Sequence, residues 1–226
     1  VIPKFDVKMF QRVDLSKVGM PGDDLLGLTE EDCGIKPLGI NENYTDWRGG
    51  VSWEEVKEKI LHERALLNGI DARTTTKEEF EELSMLVEGN EVRVSDKYDG
   101  DEVFFDLGVT AITFAISSLH GAPITSCNGL GSNGIFPTVA FYVPRNIGNL
   151  LAPHCKKTGC GIENELLLPP DEELDKQLGM VMGSEKEGFE IWAPTVIHLI
   201  NLAESFYDDF HNRDDYLAQL AQDDTR

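Results

Sequence analysis

Apolar side chains recur at helical spacing in two stretches before residue 90, and both stretches open on the same start signal. In Ser52-Trp53-Glu54-Glu55 the serine hydroxyl and the second glutamate can each satisfy an orphan amide of a first helical turn. Val56, Ile60 and Leu67 then follow on one face. Thr76-Lys77-Glu78-Glu79 repeats the capping box ahead of Phe80, Leu83 and Val87. With Gly69 and Gly89 as suitable stops, residues 51–90 read as a helical pair whose glutamates form a wetted face.

After residue 90 the apolar runs become shorter and more continuous. Glu91–Val94 and Glu102–Phe105 read as short strands around a turn at Lys97–Asp101. Leu107–Leu119 is apolar or small at almost every position, which predicts a buried helix lying against a sheet, with Asp106 as its N-cap and Gly121 as its end. Ala122–Ser126 and Thr138–Val143 read as neighbouring strands. Asn146–Lys157 predicts a helix ended by Gly159, and Ile162–Leu168 a strand closed by Pro169-Pro170. A helix over Asp171–Met180 and a strand over Phe189–Trp192 follow. Pro194 suits the first turn of a last helix, whose stripe is Val196, Leu199, Ile200, Ala203, Phe206, Tyr207 and Phe210.

The resulting fold class is α+β, a mixed sheet covered by helices, with an N-terminal helical arm. Residues 1–50, punctuated by Gly and Pro, read as an irregular wrapping arm, and residues 51–90 as the helical pair. Residues 91–210 make the α+β core domain, and residues 211–226 an acidic tail expected to fray.

Composition narrows the function classes. The 226 residues are 41% hydrophobic, enough for a core, and carry a net charge of -21. Such a balance repels nucleic-acid phosphates, so direct nucleic-acid binding is not expected, although an acidic mimic of nucleic acid is a conceivable partner-blocking role. No apolar run is long enough for a membrane span, and the start shows no basic-then-apolar leader, so the cytoplasm is the expected location. The acidic excess is unevenly spread. Leu107–Ile162 contains no Asp or Glu, only the cations Arg145, Lys156 and Lys157.

Inside that window lies Ile124-Thr-Ser-Cys-Asn-Gly-Leu-Gly-Ser-Asn-Gly134. Its Gly129-Leu-Gly-Ser-Asn-Gly134 spells G-x-G-x-x-G, but a dinucleotide fold needs a helix to start within the motif and an acid about 20 residues on. Here Ile135-Phe136-Pro137 and a β-rich run follow, and the first acid is Glu163. No G-K-[ST] closes the loop, and G-x-S-x-G is absent, so the phosphate-loop and nucleophile-elbow readings fail as well. What remains is an Asn-Gly corner able to take positive φ cheaply and turn amides inward as an anion-holding nest. Ser126, Asn128, Gly129, Gly131 and Ser132 are its ligand-binding residues on this reading, with Arg145 and Lys156 supplying charge. Cys127 beside the nest is the catalytic candidate, a nucleophile or redox thiol; a small buried core residue is the plainer alternative.

The other cysteines carry less. Four cysteines in an unexported chain of this length read as reduced thiols, and Cys33 follows three acids that oppose a thiolate. His154, Cys155 and Cys160 are weak material for zinc, because C-x4-C spacing with a helix end at Gly159 separates the thiols, so no metal is expected. His120 or Cys33 would have to complete such a set. A Cys127–His120 or Cys127–His154 pair would favour cysteine chemistry, whereas His120 alone suits the C-terminus of a helix.

The run from Asp106-Leu-Gly-Val through Ile124-Thr-Ser-Cys-Asn-Gly129 to Pro137-Thr-Val-Ala-Phe-Tyr142 resembles a group of uncharacterised bacterial proteins. These carry S-C-N-G or S-C-x-G-H between a buried helix and a P-x-V-x-F strand. More distantly, Thr125–Gly129 is similar to the S-C-[SA]-G-R segment of the Tyw3-type tRNA wybutosine methyltransferases, a resemblance that implies S-adenosylmethionine and tRNA. Leu130 stands where that family has Arg, and the resemblance carries over only Ser126, Cys127 and Gly129 as site-lining residues.

Three functions are therefore expected from the sequence. The first is a binding protein for a small anionic or nucleotide-like ligand, accessory to a larger bacterial system, with its cofactor unknown. The second is a cysteine-dependent or S-adenosylmethionine-dependent group-transfer enzyme. The third is an acidic interaction or inhibitor protein whose partner is another protein.

Overall fold

Ser52 opens the first helix as its capping box predicts. Its Oγ accepts from the Glu55 amide at 3.3 Å, and Glu55 Oε2 accepts from the Ser52 amide at 2.8 Å. In the computed structural model, which describes residues 1–15, 51–91, 93–94, 103–131, 136–164 and 188–223, helix α1 spans Trp53–Asp71. It runs through Gly69, because Ile70 is fully buried in the core and the turn beyond it is held by Thr74 Oγ1 on the Ile70 carbonyl at 2.9 Å. Helix α2, Lys77–Glu91, starts at its own capping box, where Glu79 N donates to Thr76 Oγ1 at 3.2 Å, and it too passes its expected stop, Gly89.

The short ribbon of β2 (Arg93–Val94) and β3 (Val103–Phe104) follows as an antiparallel pair. Helix α3, Thr110–Ser118, is buried at all nine positions, as its apolar and small residues predict, with the Thr113, Ser117 and Ser118 hydroxyls satisfied by carbonyls one turn back. It ends in a Schellman arrangement: the Gly121 amide donates to Ile116 O at 2.9 Å, and the His120 amide to Ser117 O at 3.1 Å. The left-handed position is His120, at φ 60°, rather than Gly121. Gly121 is needed for space, since a Cβ there would lie 2.6 Å from Ile116 Cγ2 and 2.8 Å from the Ile116 carbonyl oxygen.

Strands β1 (Gln11–Arg12), β4 (Ala122–Cys127), β5 (Thr138–Tyr142), β6 (Gly161–Glu163) and β7 (Phe189–Trp192) form one mixed sheet in the order β1-β6-β7-β5-β4. Only the β1–β6 pair is parallel. Helix α4, Arg145–Thr158, ends at left-handed Gly159, and helix α5 spans Val196–Phe210. Val139, Phe141, Ile162, Phe189 and Ile191 join the helices in one buried cluster, with Phe141 stacked on Phe189 at 5.7 Å. The opposite face of the sheet carries Trp192 and Thr138, and the N-terminal residues close over its β6 end. Phe10 meets Trp192 edge-on at 4.8 Å, and the indole donates to the Lys8 carbonyl at 3.2 Å.

Pro194 lies two residues ahead of α5 rather than in its first turn, because Thr195 is the N-cap. The segment after His211 is not a frayed tail throughout. Helix α6, Asp214–Asp223, buries Leu217 and accepts a hydrogen bond from Asn146 Nδ2 at the Leu220 carbonyl, which ties it to α4. The expected helix at Asp171–Met180, the strand residues beyond Asn164, Cys33 and Ser132 lie outside the described residues. Among the described residues no helix is long and apolar enough to cross a membrane.

Candidate functional site

The corner at the end of β4 is built by two local contacts within residues 127–130 and one that reaches back to Leu107. Asn128 is buried, and its side chain folds back so that Oδ1 accepts from the Leu130 amide at 2.9 Å. Its Nδ2 donates to the Leu107 carbonyl at 3.2 Å, which ties the loop to the turn ahead of α3. The Gly129 amide donates to Cys127 Sγ at 3.3 Å. Gly129 and Gly131 are both left-handed, at φ 72° and 68°, as an Asn-Gly corner predicts.

Asp106 enters this corner from the other side. Its carboxylate accepts from the Asn128 amide at 3.3 Å instead of capping α3, whose N-cap residue is Val109. Burial raises its pKa, and the single amide from Asn128 opposes that only in part. The capping task falls to Glu63, in the middle of α1. Its Oε1 accepts from the Gly108 and Thr110 amides at 2.7 and 3.1 Å, and its Oε2 from the Ala111 amide at 2.9 Å. These are orphan donors at the positive end of the α3 dipole, so a buried carboxylate is tolerated there. Burial still dominates and raises the Glu63 pKa, against the three amides.

Helix α2 supplies a further wall. A Cβ placed on Gly131 would lie 3.7 Å from Met85 Sδ. The corner is therefore bounded by β4, the turn before α3, and the helical pair.

The expected site residues separate into two groups. Ser126, Cys127, Asn128, Gly129 and Gly131 share the corner. Arg145 does not join them: Ala122 pairs with Tyr142 and Cys127 with Thr138, so Arg145 follows the far end of a ladder roughly 15 Å long. Lys156, in the last turn of α4, precedes Gly161, which lies at the Cys127 end of the sheet but three strands away, roughly 14 Å. The nest amides are also engaged internally, at Asn128 by Asp106, at Gly129 by Cys127 and at Leu130 by Asn128.

The histidines and remaining thiols have other surroundings. Among its neighbours His120 feels Asp214 electrostatically, and burial lowers its pKa. His154 bridges α4 to α5, with Nδ1 2.9 Å from Ser205 Oγ and Nε2 3.3 Å from Asp209 Oδ2. Cys155 and Cys160 are core residues; burial pushes the Cys155 thiol well up and that of Cys160 to about 12. Among the described residues no group of three or more His, Cys, Asp or Glu is placed to hold a metal ion.

No family model, curated protein or solved structure matches the chain. The site must therefore be read from its own geometry. Glu63, buried, departs from the wetted face that the sequence predicts for the glutamates of the helical pair. Glu63 is in phase with Val56, Ile60, Leu67 and Ile70 on the buried stripe of α1, and a carboxylate in an apolar stripe marks a buried partner. Asp106 was visible, but as a helix cap.

Proposed function

We propose that the chain binds a small nucleoside-like ligand at the corner formed by Asp106–Gly108 and Ser126–Gly131. The observation that carries this reading is Asp106. Its carboxylate is half-buried and disfavoured there as an anion, yet among the described residues its side chain takes one hydrogen bond, the 3.3 Å contact from Asn128. A desolvated acceptor served so thinly by its own chain suits the paired N–H donors on the edge of a nucleobase. The left-handed glycines keep side-chain bulk off the loop, Met85 offers an apolar wall, and the half-buried Ser126 offers a hydroxyl.

A plain anion is the poorer ligand. It would have to displace Asp106 from Asn128, and Arg145 lies at the other end of the ladder. In the binding role Cys127 is a wall of the corner, its sulfur held by the Gly129 amide.

Thermal-shift titration with the four common ribonucleosides and with inorganic phosphate tests the reading. A nucleoside presenting adjacent ring N–H and amino donors should raise the melting temperature of the wild type and not of Asp106→Asn. Stabilisation by phosphate alone, or equal stabilisation of the variant, would overturn it.

A further inference from the structure

The geometry points to Glu63 as the positioning residue of the corner: held on helix α1, it fixes the Asp106–Gly108 turn against which Asn128 and Leu130 are set. This rests on reading that corner as the binding site.

Helix α3 has no side-chain cap of its own, since Val109 occupies the N-cap position. Its first amides would be orphaned in the core without Glu63, which engages two of them, those of Thr110 and Ala111, together with the Gly108 amide in the turn just before the helix. Gly108 sits between the clamp and the corner. It is left-handed at φ 97°, and a Cβ there would lie 2.6 Å from Val196 Cβ, so the turn is confined on that side by α5. One residue further back, the Leu107 carbonyl accepts from Asn128 Nδ2, and the Asp106 carboxylate accepts from the Asn128 amide. Asn128 in turn holds Leu130. A continuous set of hydrogen bonds thus runs from the helical pair to the loop. Because Glu63 performs the capping, Asp106 is released from it and faces the loop.

A purely structural cap would need only to stabilise α3. A positioning residue must also set the geometry of residues it does not touch. Glu63→Gln tests the difference in ligand-free protein, because a Gln keeps one acceptor oxygen and its NH₂ cannot accept from the N–H groups on the other side, those of Gly108 and Thr110 or that of Ala111. In ¹⁵N–¹H spectra the Gly108 and Ala111 signals should move, and the Asn128 and Leu130 signals should move with them. Iodoacetamide alkylation of Cys127, measured well below the melting temperature, should change at least about threefold. If Gly108 and Ala111 shift while Asn128, Leu130 and the alkylation rate stay at wild-type values, Glu63 is a cap and nothing more.

Should Glu63→Gln fail to fold, native-state hydrogen exchange of the wild type decides. Ala111, Asn128 and Leu130 amides should share one opening free energy. Exchange of Asn128 and Leu130 about a hundredfold faster than Ala111, after correction for intrinsic rates, would overturn the coupling. None of these readouts needs a ligand. Coupling without nucleoside binding sinks only the proposed function, and binding without coupling sinks only this inference.

Discussion

The Asn128 amide donates to the Asp106 carboxylate across 3.3 Å, joining the end of β4 to the turn before α3. That contact replaces the helix-capping bond expected of Asp106 and gives the corner its acid. It opposes, only in part, the effect of burial on the titration of that acid.

Burial raises the Asp106 pKa above its ordinary 3.8, so the folded state holds this proton more tightly than the unfolded state. The contribution of Asp106 to stability is full below the ordinary value and is lost as pH rises through the folded value. Asp106→Asn fixes a neutral side chain that can still accept from Asn128. Its urea midpoint should exceed the wild-type midpoint at about pH 7 and converge with it towards about pH 4. A difference that is constant across that range would contradict the assignment.

Three histidines, His154 buried and His120 and His198 half-buried, act in the opposite direction. His120, His154 and His198 all have pKa values lowered from 6.5, chiefly by burial, so each favours the folded state above the ordinary value and loses that contribution as pH falls through its folded value. His154 lies between Phe206 and Phe210, with ring centroids at 5.2 and 5.3 Å. His154→Gln should flatten the decline of unfolding free energy below about pH 6.5, by at most about 1.4 kcal/mol per pH unit. Denaturation curves at several pH values measure it, and an unchanged slope refutes the role.

The end of α3 separates conformation from space. His120→Gly relieves a left-handed non-glycine residue and should stabilise the fold by about 0.5–1 kcal/mol. Gly121→Ala forces a Cβ to 2.8 Å from the Ile116 carbonyl oxygen and should destabilise it by about 2 kcal/mol or more. Equilibrium denaturation of the two variants should therefore give shifts of opposite sign.

Legibility from sequence followed the range of the interaction. The two capping boxes at Ser52 and Thr76 are local, and both form as read. The β4–β5 pairing joins segments near in sequence, and the buried character of α3 is written at nearly every one of its positions. The cap of α3 is not local: Asp106 has the sequence position of a cap, but Glu63, 47 residues from Thr110, supplies the carboxylate. Arg145 was grouped with the loop because both lie in the acid-free window, whereas the register of β4 and β5 sends them to opposite ends. Helix α6 was hidden by acidic composition; burial of Leu217 against the core outweighs it.

Under the proposed function a nucleoside occupies the corner around Asp106 and Asn128. Titration of ¹⁵N-labelled protein with guanosine, which presents adjacent ring N–H and amino donors, locates the ligand residue by residue and tests this most directly. Saturable shifts are expected at the Leu107–Gly108 and Ser126–Gly131 amides, and none in Asp106→Asn. Saturable shifts confined to other residues, or none at millimolar nucleoside, would contradict it.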